Sequence, residues 1–493
     1  MTAAELTPLT LGLLVFGPLL IALLCFALLS KQLSDYLGIG LSLLFLVLLL
    51  PLSGDMLANG SLILHLGGHQ AGLAIPLYVD GLSLAMLWLT TILALAIQVY
   101  AMAWMKRNTF PAEREYRWLW LLLWSGLNAL FLSGDLFNLY VTLEITTLAA
   151  VPLVILSLGR GPMEAAVRYL LYALVGSILF LMGVALVYAD TGLLSLPALS
   201  KMDMTGLTPI TALLLMTAGV AMKAALFPVH GWLPKAHSNA PSPASALLSA
   251  IVAKAGAYLL VRLWLGPFEG SWNLPMAQCM GAIGAAGILY GSIQALRQQR
   301  LKLVIAYSTV AQLGYLLLVI PLGTLMAWNG MIYHALTHGL AKAALFLAAG
   351  NLIMVIGNDR LESLENCDRV LSKNILAIGI AGVALAGLPP SGGFIAKWWM
   401  ISAALETGQW WWAVLMLLGG LLTAAYVFRL LSYAFHSPDA YSETPLHVAG
   451  DTLSRALIWP PLLLALTAIA LGLAGNWLAP FIEAGSPLTG GGS

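Results

Sequence analysis

The chain has 493 residues, of which 60% are hydrophobic and only 9% charged, with a formal net charge of +1. Soluble domains run at about 25% charged residues, so this chain cannot cover a water-facing surface and belongs in a membrane. The near-zero net charge, with no basic runs interleaved with aromatics, excludes nucleic acid as a partner.

Apolar runs long enough to cross about 30 Å of hydrocarbon recur along the whole sequence. They fall near 7–29, 37–53, 78–104, 117–134, 136–157, 165–189, 208–230, 243–266, 273–296, 302–323, 328–356, 373–405, 410–434 and 457–480. The predicted fold is an all-α integral membrane protein of about 14 transmembrane helices. The first run has Glu5 but no Lys or Arg ahead of it, so it reads as a retained helix rather than a cleaved signal peptide. Residues 1–484 are expected to form a single polytopic domain, with 485–493, "GSPLTGGGS", as a flexible tail or cloning scar. Cys25, Cys279 and Cys367 are too scattered for a metal cluster or a disulfide framework and are expected to be small packed hydrophobes.

An even number of crossings puts both termini on one side. Sixteen basic residues, among them Lys31, Arg117, Lys235, Arg300, Lys302 and Arg360, fall in the connections after odd-numbered runs, against Lys201 and Arg262 on the other face. The positive-inside rule then places the odd connections in the cytoplasm and both termini outside, in a bacterial-type inner membrane.

Runs seven and twelve combine an intramembrane lysine with helix breakers: Lys223 with Pro228 and Pro234, and Lys397 with Pro389 and Pro390. Proline removes a backbone donor, and the carbonyls it frees need water or side chains at membrane depth. Five runs separate the two, and an odd offset implies opposite orientation. The pattern predicts two inverted five-helix repeats, spans 4–8 (about 117–266) and 9–13 (about 273–434), with helices 7 and 12 broken at the functional midplane.

A charge in hydrocarbon costs about 2.5–3.5 kcal/mol or more, so each of Lys223, Lys254, Lys342 and Lys397 needs a partner, a wet cavity or a readily lost proton. Glu144 is the one acidic residue near the centre of an apolar run and is expected to pair with Lys223. Three amines are then left without a carboxylate. In "IYHALTHGLAKAALF", His334, His338 and Lys342 stand at i, i+4 and i+8, one stripe of a helix. Neither a carboxylate nor a cysteine is near enough in sequence to complete a metal shell, so a proton relay is the better expectation and no metal is predicted. His230 and His237 are expected to lead from the break at Pro228 toward the cytoplasmic face. Flavin, iron-sulfur and nucleotide motifs are absent, so no cofactor is expected.

These segments carry a resemblance. "FPVHGWLPKAHSNAPSPASALL", "KLVIAYSTVAQLGYLLL", "HALTHGLAKAALFLAAGN" and "GLPPSGGFIAKWW" resemble the antiporter-like subunits shared by Mrp-type cation/proton antiporters, respiratory complex I and membrane-bound hydrogenases. The resemblance implies a 14-helix fold with a central hydrophilic axis. It implies that Glu144 and Lys223 are a coupled pair, Lys254 and the groups His334, His338 and Lys342 a relay, and Lys397 its terminal lysine. Lys235, where many quinone-reductase paralogues carry an acidic residue, suits the D-type member of the Mrp antiporter subunits. The expected activity is proton translocation in a multisubunit Na⁺ (or other cation)/H⁺ antiporter, a secondary transporter rather than an enzyme. The alternative is a proton-pumping membrane subunit of a redox complex, a quinone oxidoreductase or hydrogenase. In either case the partners are other membrane subunits, protons, a monovalent cation and lipid.

Overall fold

A computed structural model describes residues 3–28, 30–66, 75–365, 367, 371–436 and 453–489, with side chains from residue 7 onward. The apolar runs become helices because an unpaired backbone group in lipid is too costly to leave, and the helices hold even across internal prolines such as Pro18, Pro51 and Pro152. In chain order they are α1 (Ala3–Ala27), α2 (Lys31–Asn59), α3 (Gly81–Arg107), α4 (Glu113–Leu132), α5 (Leu136–Ile155) and α6 (Arg160–Thr191). A single turn, α7 (Leu196–Leu199), precedes α8 (Leu207–Lys223), α9 (Leu233–Asn239), α10 (Ser242–Leu247) and α11 (Ala253–Trp264). Then follow α12 (Leu274–Arg297), α13 (Leu301–Leu317), the one-turn α14 (Val319–Leu322) and α15 (Leu325–Ile356). The last group is α16 (Ser372–Ala386), α17 (Gly392–Glu406), α18 (Trp410–Phe435), α19 (Arg455–Ala470) and α20 (Gly475–Glu483).

Among the described residues, 11 segments are long and apolar enough to cross a membrane. Helix α4 has that length but opens on Glu113, Arg114, Glu115 and Arg117. The twelfth predicted run is split into α16 and α17, while the helix of the seventh stops at Lys223, short of its expected end at 230, and α9 follows beyond that end. Helix starts are fixed locally: the side chains of Asp80, Asp135, Asn273, Thr324 and Ser391 each accept a first-turn N–H.

Helix α15 is the central strut, in contact with α3, α10, α13, α16, α17 and α19. At 32 residues it is about 48 Å long and almost wholly buried. The outer helices show the reverse, with Phe16, Leu20 and Leu421 exposed as lipid-facing residues would be.

Three expectations change here. The stretch between α2 and α3, predicted as a plain connection, contains a hairpin of β1 (Leu62–Leu66) and β2 (Ile75–Val79), with Leu62 opposite Val79 and Leu66 opposite Ile75. The expected tail is ordered through Thr489: a 3₁₀ turn, Pro487–Thr489, follows Ser486, which is buried, while 490–493 lie outside the described residues. Cys25 and Cys367 are buried as expected, but Cys279 lies exposed on the flank of α12.

Candidate functional site

The first helix break begins at Lys223, the last residue of α8. Ala225 adopts a left-handed conformation (φ 54°), and the Phe227–Pro228 peptide is cis. Trp232 Nε1 donates to Met222 O at 2.8 Å and so takes up a carbonyl that the break frees. Tyr169 of α6 stacks on the Trp232 ring at 3.8 Å. Pro234 then sits in the first turn of α9, where its missing N–H costs nothing.

Close packing sets the side chains at this break. Helices α6 and α8 touch through glycines: a Cβ on Gly219 would lie 2.4 Å from Gly176 O, and one on Gly176 would lie 2.7 Å from Gly219 O. Ser177 follows one of these residues, and Lys223 lies one turn beyond the other. Both therefore reach Glu144 of α5. Lys223 Nζ is 2.7 Å from Glu144 Oε1 and also donates to Thr147 Oγ1 at 3.2 Å; Ser177 Oγ donates to the same carboxylate oxygen. The lysine side chain is 6% exposed and the glutamate 25%, so one face of the pair is open and the other is sealed.

Span eight is interrupted in a different way. Between α10 and α11 the helix widens into a π turn, Leu248–Val252, a device that frees a carbonyl from the regular ladder. Lys254 Nζ donates to Ser249 O at 2.7 Å, and the Ser249 and Thr309 hydroxyls are 2.8 Å apart. Ala224, next to Lys223, packs against Gly256, two residues beyond Lys254. The backbone thus joins the neighbourhood of the Glu144–Lys223 pair to that of Lys254.

The second break mirrors the first in composition and reverses the order of lysine and kink. Helix α16 ends at Ala386, Gly387 turns left-handed (φ 77°), Pro389–Pro390 is cis, and Ser391 caps α17. Lys397 reaches back to donate to Leu385 O and Ala386 O, both at 2.9 Å. A cation on the last carbonyls of a helix meets the negative end of its dipole. The same ammonium lies 4.8 Å from the centre of the Tyr315 ring, a favourable cation–π separation.

His334, His338 and Lys342 of α15 face this core. His334 Nε2 is 3.2 Å from Gln312 O, and its ring stands 5.7 Å from that of His338. Both nitrogens of His338 lack a protein partner although the residue is 1% exposed, with Lys254, Lys342, His334 and Lys397 all within electrostatic reach. Lys342 Nζ donates to Ile305 O at 2.8 Å and to Ser308 Oγ.

The predicted residues thus fall into two groups. Glu144 and Lys223 form one; Lys254, His334, His338, Lys342 and Lys397 form the other, and in it the amines are met by carbonyls and hydroxyls rather than by carboxylates. The two auxiliary histidines have different surroundings. His230 packs against Phe227 and Tyr290 near the break, with ring distances of 5.7 and 4.9 Å. His237 lies fully buried in the second group, against Phe346 and within reach of Lys342, Lys302 and Lys254. The reason is geometric: α9 points Lys235 to the surface, so His237, two residues on, faces inward.

Further buried charges lie outside the sequence expectations. Lys302, assigned to a loop, is buried in the first turn of α13 and donates to Ala240 O at 2.8 Å. Arg117 forms a two-pronged pair with Asp35 at 2.7 and 2.8 Å. Arg262 makes another with Asp80 and donates to Ser83 Oγ at 2.7 Å. Asp35 and Asp80 therefore join Glu144 as acids drawn inside the bundle. The signal that points to Arg262 is spacing: it stands at i+8 from Lys254 on one face of α11, with Tyr258 between. Among the described residues, no three His, Cys, Asp or Glu side chains stand together as a metal site.

Comparison with known proteins identifies the family. Residues 133–423 match the family described as "NADH:quinone oxidoreductase/Mrp antiporter, TM", and residues 69–112 match "NADH-Ubiquinone oxidoreductase (complex I), chain 5 N-terminus". The chain belongs to the NADH:quinone oxidoreductase/Mrp antiporter family. The N-type subunit of the NADH-quinone oxidoreductase of Desulforudis audaxviator is 35% identical over 421 residues, covering 83% of this chain and 84% of the relative. The D-type subunit of the Na⁺/H⁺ antiporter of Alkalihalophilus pseudofirmus is 28% identical over 456 residues, 91% and 89% of the two chains. One polypeptide in the structure of the Mrp complex from a Dietzia species superposes with a TM-score of 0.88 at 26% identity, covering 97% of this chain and 96% of that one. The chain is thus a multi-pass, antiporter-like membrane subunit of this family, with its helical fold.

Proposed function

We propose that this subunit carries protons along the buried row Glu144, Lys223, Lys254, His338, His334, Lys342 and Lys397, within a multisubunit Na⁺ (or other monovalent cation)/H⁺ antiporter. One observation carries the reading: a single Lys–Glu pair at a broken helix, followed by three buried amines whose partners are carbonyls and hydroxyls. A static structural charge would be matched by a counter-charge, because an unmatched ammonium in a poorly solvated site is costly. Amines without one are suited to exchange protons. When Glu144 holds Lys223, charge is pinned there; when it lets go, repulsion favours a neutral Lys254, and the displacement passes by way of His338 toward Lys397. The buried ring nitrogens of His338 and His237 that lack protein partners are natural positions for bridging water.

Fourteen crossings, ten of them in two inverted five-helix units (spans 4–8 and 9–13) of a domain running through residue 484, fit this role, with both broken helices at mid-depth. The charge distribution favours the inner membrane with both termini outside. The antiporter assignment draws on the likeness to the D-type antiporter subunit and to the Mrp complex. A second reading, the membrane subunit of a redox-driven pump, is favoured by the higher identity to the N-type subunit of a quinone oxidoreductase. Purifying the intact complex separates them: small membrane subunits alone support the first, iron-sulfur partners the second. In everted vesicles, Lys223→Ala should abolish cation-dependent proton movement while the complex still assembles; full retained activity refutes the proton-row reading.

A further inference from the structure

The row just proposed needs an opening at the face of the bundle where α15 begins. A carboxylate at that face with no part in the row is Glu483, the last residue of α20. It is half-buried, and Asn329, in the first turns of α15, donates Nδ2 to its Oε1. Beside it Trp328 Nε1 donates to Ile482 O at 3.0 Å, so α20 is pinned to α15 at two adjacent positions. A purely structural pin would be satisfied at both ends. Here Asn329 Oδ1 is buried with no protein partner.

Asn329 also starts a stripe. Tyr333 and Thr337 follow at i+4 and i+8, on one face of α15 and about 6 Å apart along its axis. Thr337 is 1% exposed, and its hydroxyl has no protein partner; it lies against Gly392, at the start of the half-helix that carries Lys397. Tyr333 donates to Leu471 O. At the other end of the stripe, Trp328, Gly485 and Ser486 line a cavity of about 540 Å³ that also includes Tyr78, Arg262 and Glu269. Hydroxyl and amide groups on one face of α15 therefore lead from the second helix break toward this cavity, and Glu483 stands two residues before Gly485 of its wall.

Resting on the proton-row reading and its orientation, we infer that Glu483 is the outer-face proton port of this subunit, with Asn329 as its positioning residue. A proton leaving the His334 imidazolium or the Lys397 ammonium passes along the Thr337 and Tyr333 hydroxyls, each taking one proton and giving up another. The Glu483 carboxylate receives it, becomes the neutral acid, and releases it to cavity water. The reverse sequence admits a proton from outside. Arg262 in the cavity wall cannot serve, because its guanidinium stays protonated, and Glu269, the carboxylate in that wall, is exposed on a separate turn away from the α15 stripe.

Glu483→Gln tests this in the whole complex in everted vesicles, because the amide still accepts from Asn329 and preserves the pin while losing the exchangeable charge. The expected result is a fall in cation-dependent proton movement of about tenfold or more, with Glu483→Asp retaining most of the rate and assembly unchanged. Wild-type transport by Glu483→Gln, in a preparation where Lys223→Ala is inactive, overturns the port and leaves the row standing. An active Lys223→Ala overturns both. Glu483→Cys in a Cys279→Ser background should react with a membrane-impermeant maleimide added from outside; reaction from the cytoplasmic side alone overturns the port.

Discussion

Replacing Glu144 by Gln isolates the charge of the carboxylate paired with Lys223. The amide is close in shape and can still accept from Ser177, so packing changes little. At 2.7 Å and an effective dielectric near 20, the gross attraction between the two charges is about 6 kcal/mol. Desolvation offsets much of that, and removing one partner of a buried pair costs about 3–5 kcal/mol. Because the Glu144 side chain is 25% exposed, the lower end applies. About 3 kcal/mol corresponds to a roughly 150-fold fall in the population of charged Lys223 relative to its neutral form. Cation-driven proton movement in everted vesicles should therefore fall by about two orders of magnitude, with native gels showing the same amount of assembled complex. The double variant Glu144→Gln, Lys223→Gln should be no worse than Lys223→Gln alone, since the amine that the carboxylate holds is already gone. A wild-type rate for Glu144→Gln in an assembled complex would refute the reasoning, because the pair would then be only a packing device.

Other changes separate chemistry from architecture. Lys397→Arg keeps a cation and its donors near the carbonyls of Leu385 and Ala386 but cannot release a proton; thermal stability should hold while transport is lost, as read by a melting curve beside the vesicle assay. Gly219→Val places a side chain where even a Cβ would be 2.4 Å from Gly176 O, so α6 and α8 must part; a shift of about 1 Å at Lys223 and Ser177 is expected to cost about 100-fold in rate, with the rate per assembled complex as the readout. Asp35→Asn leaves the Arg117 guanidinium with Glu113, 3.2 Å away, as its remaining acid. It should lower the unfolding temperature of the complex yet leave transport per complex unchanged, and a transport defect would show that this pair belongs to the proton row.

The sequence is informative wherever a residue type conflicts with its surroundings. A lysine beside prolines in an apolar run conflicts with both helix and lipid, and both such places are helix breaks in the structure. His334, His338 and Lys342 are legible because one regular helix carries their periodicity unbroken. The charges near helix ends are less legible. Hydropathy ends a run at the first charged residue, but α2 extends to Lys31 and α4 back to Glu113, so Asp35 and Arg117 are buried by neighbouring helices and not by lipid. Lys302 falls in a predicted loop for the same reason. The π turn ahead of Lys254 leaves no trace in residue type, because all its residues are compatible with an ordinary helix. The path of His237 depends on how a seven-residue half-helix is rotated, which follows from the break before it and not from the local pattern.

The notch at Gly387 has a mechanical consequence. A Cβ there would lie 2.6 Å from Lys397 Cδ, so the absent methyl is what lets the aliphatic arm of the lysine lie flat against the end of the preceding half-helix. The arm thereby delivers its amine to two carbonyls at once, those of Leu385 and Ala386, so any side chain at position 387 would wedge the ammonium away from both.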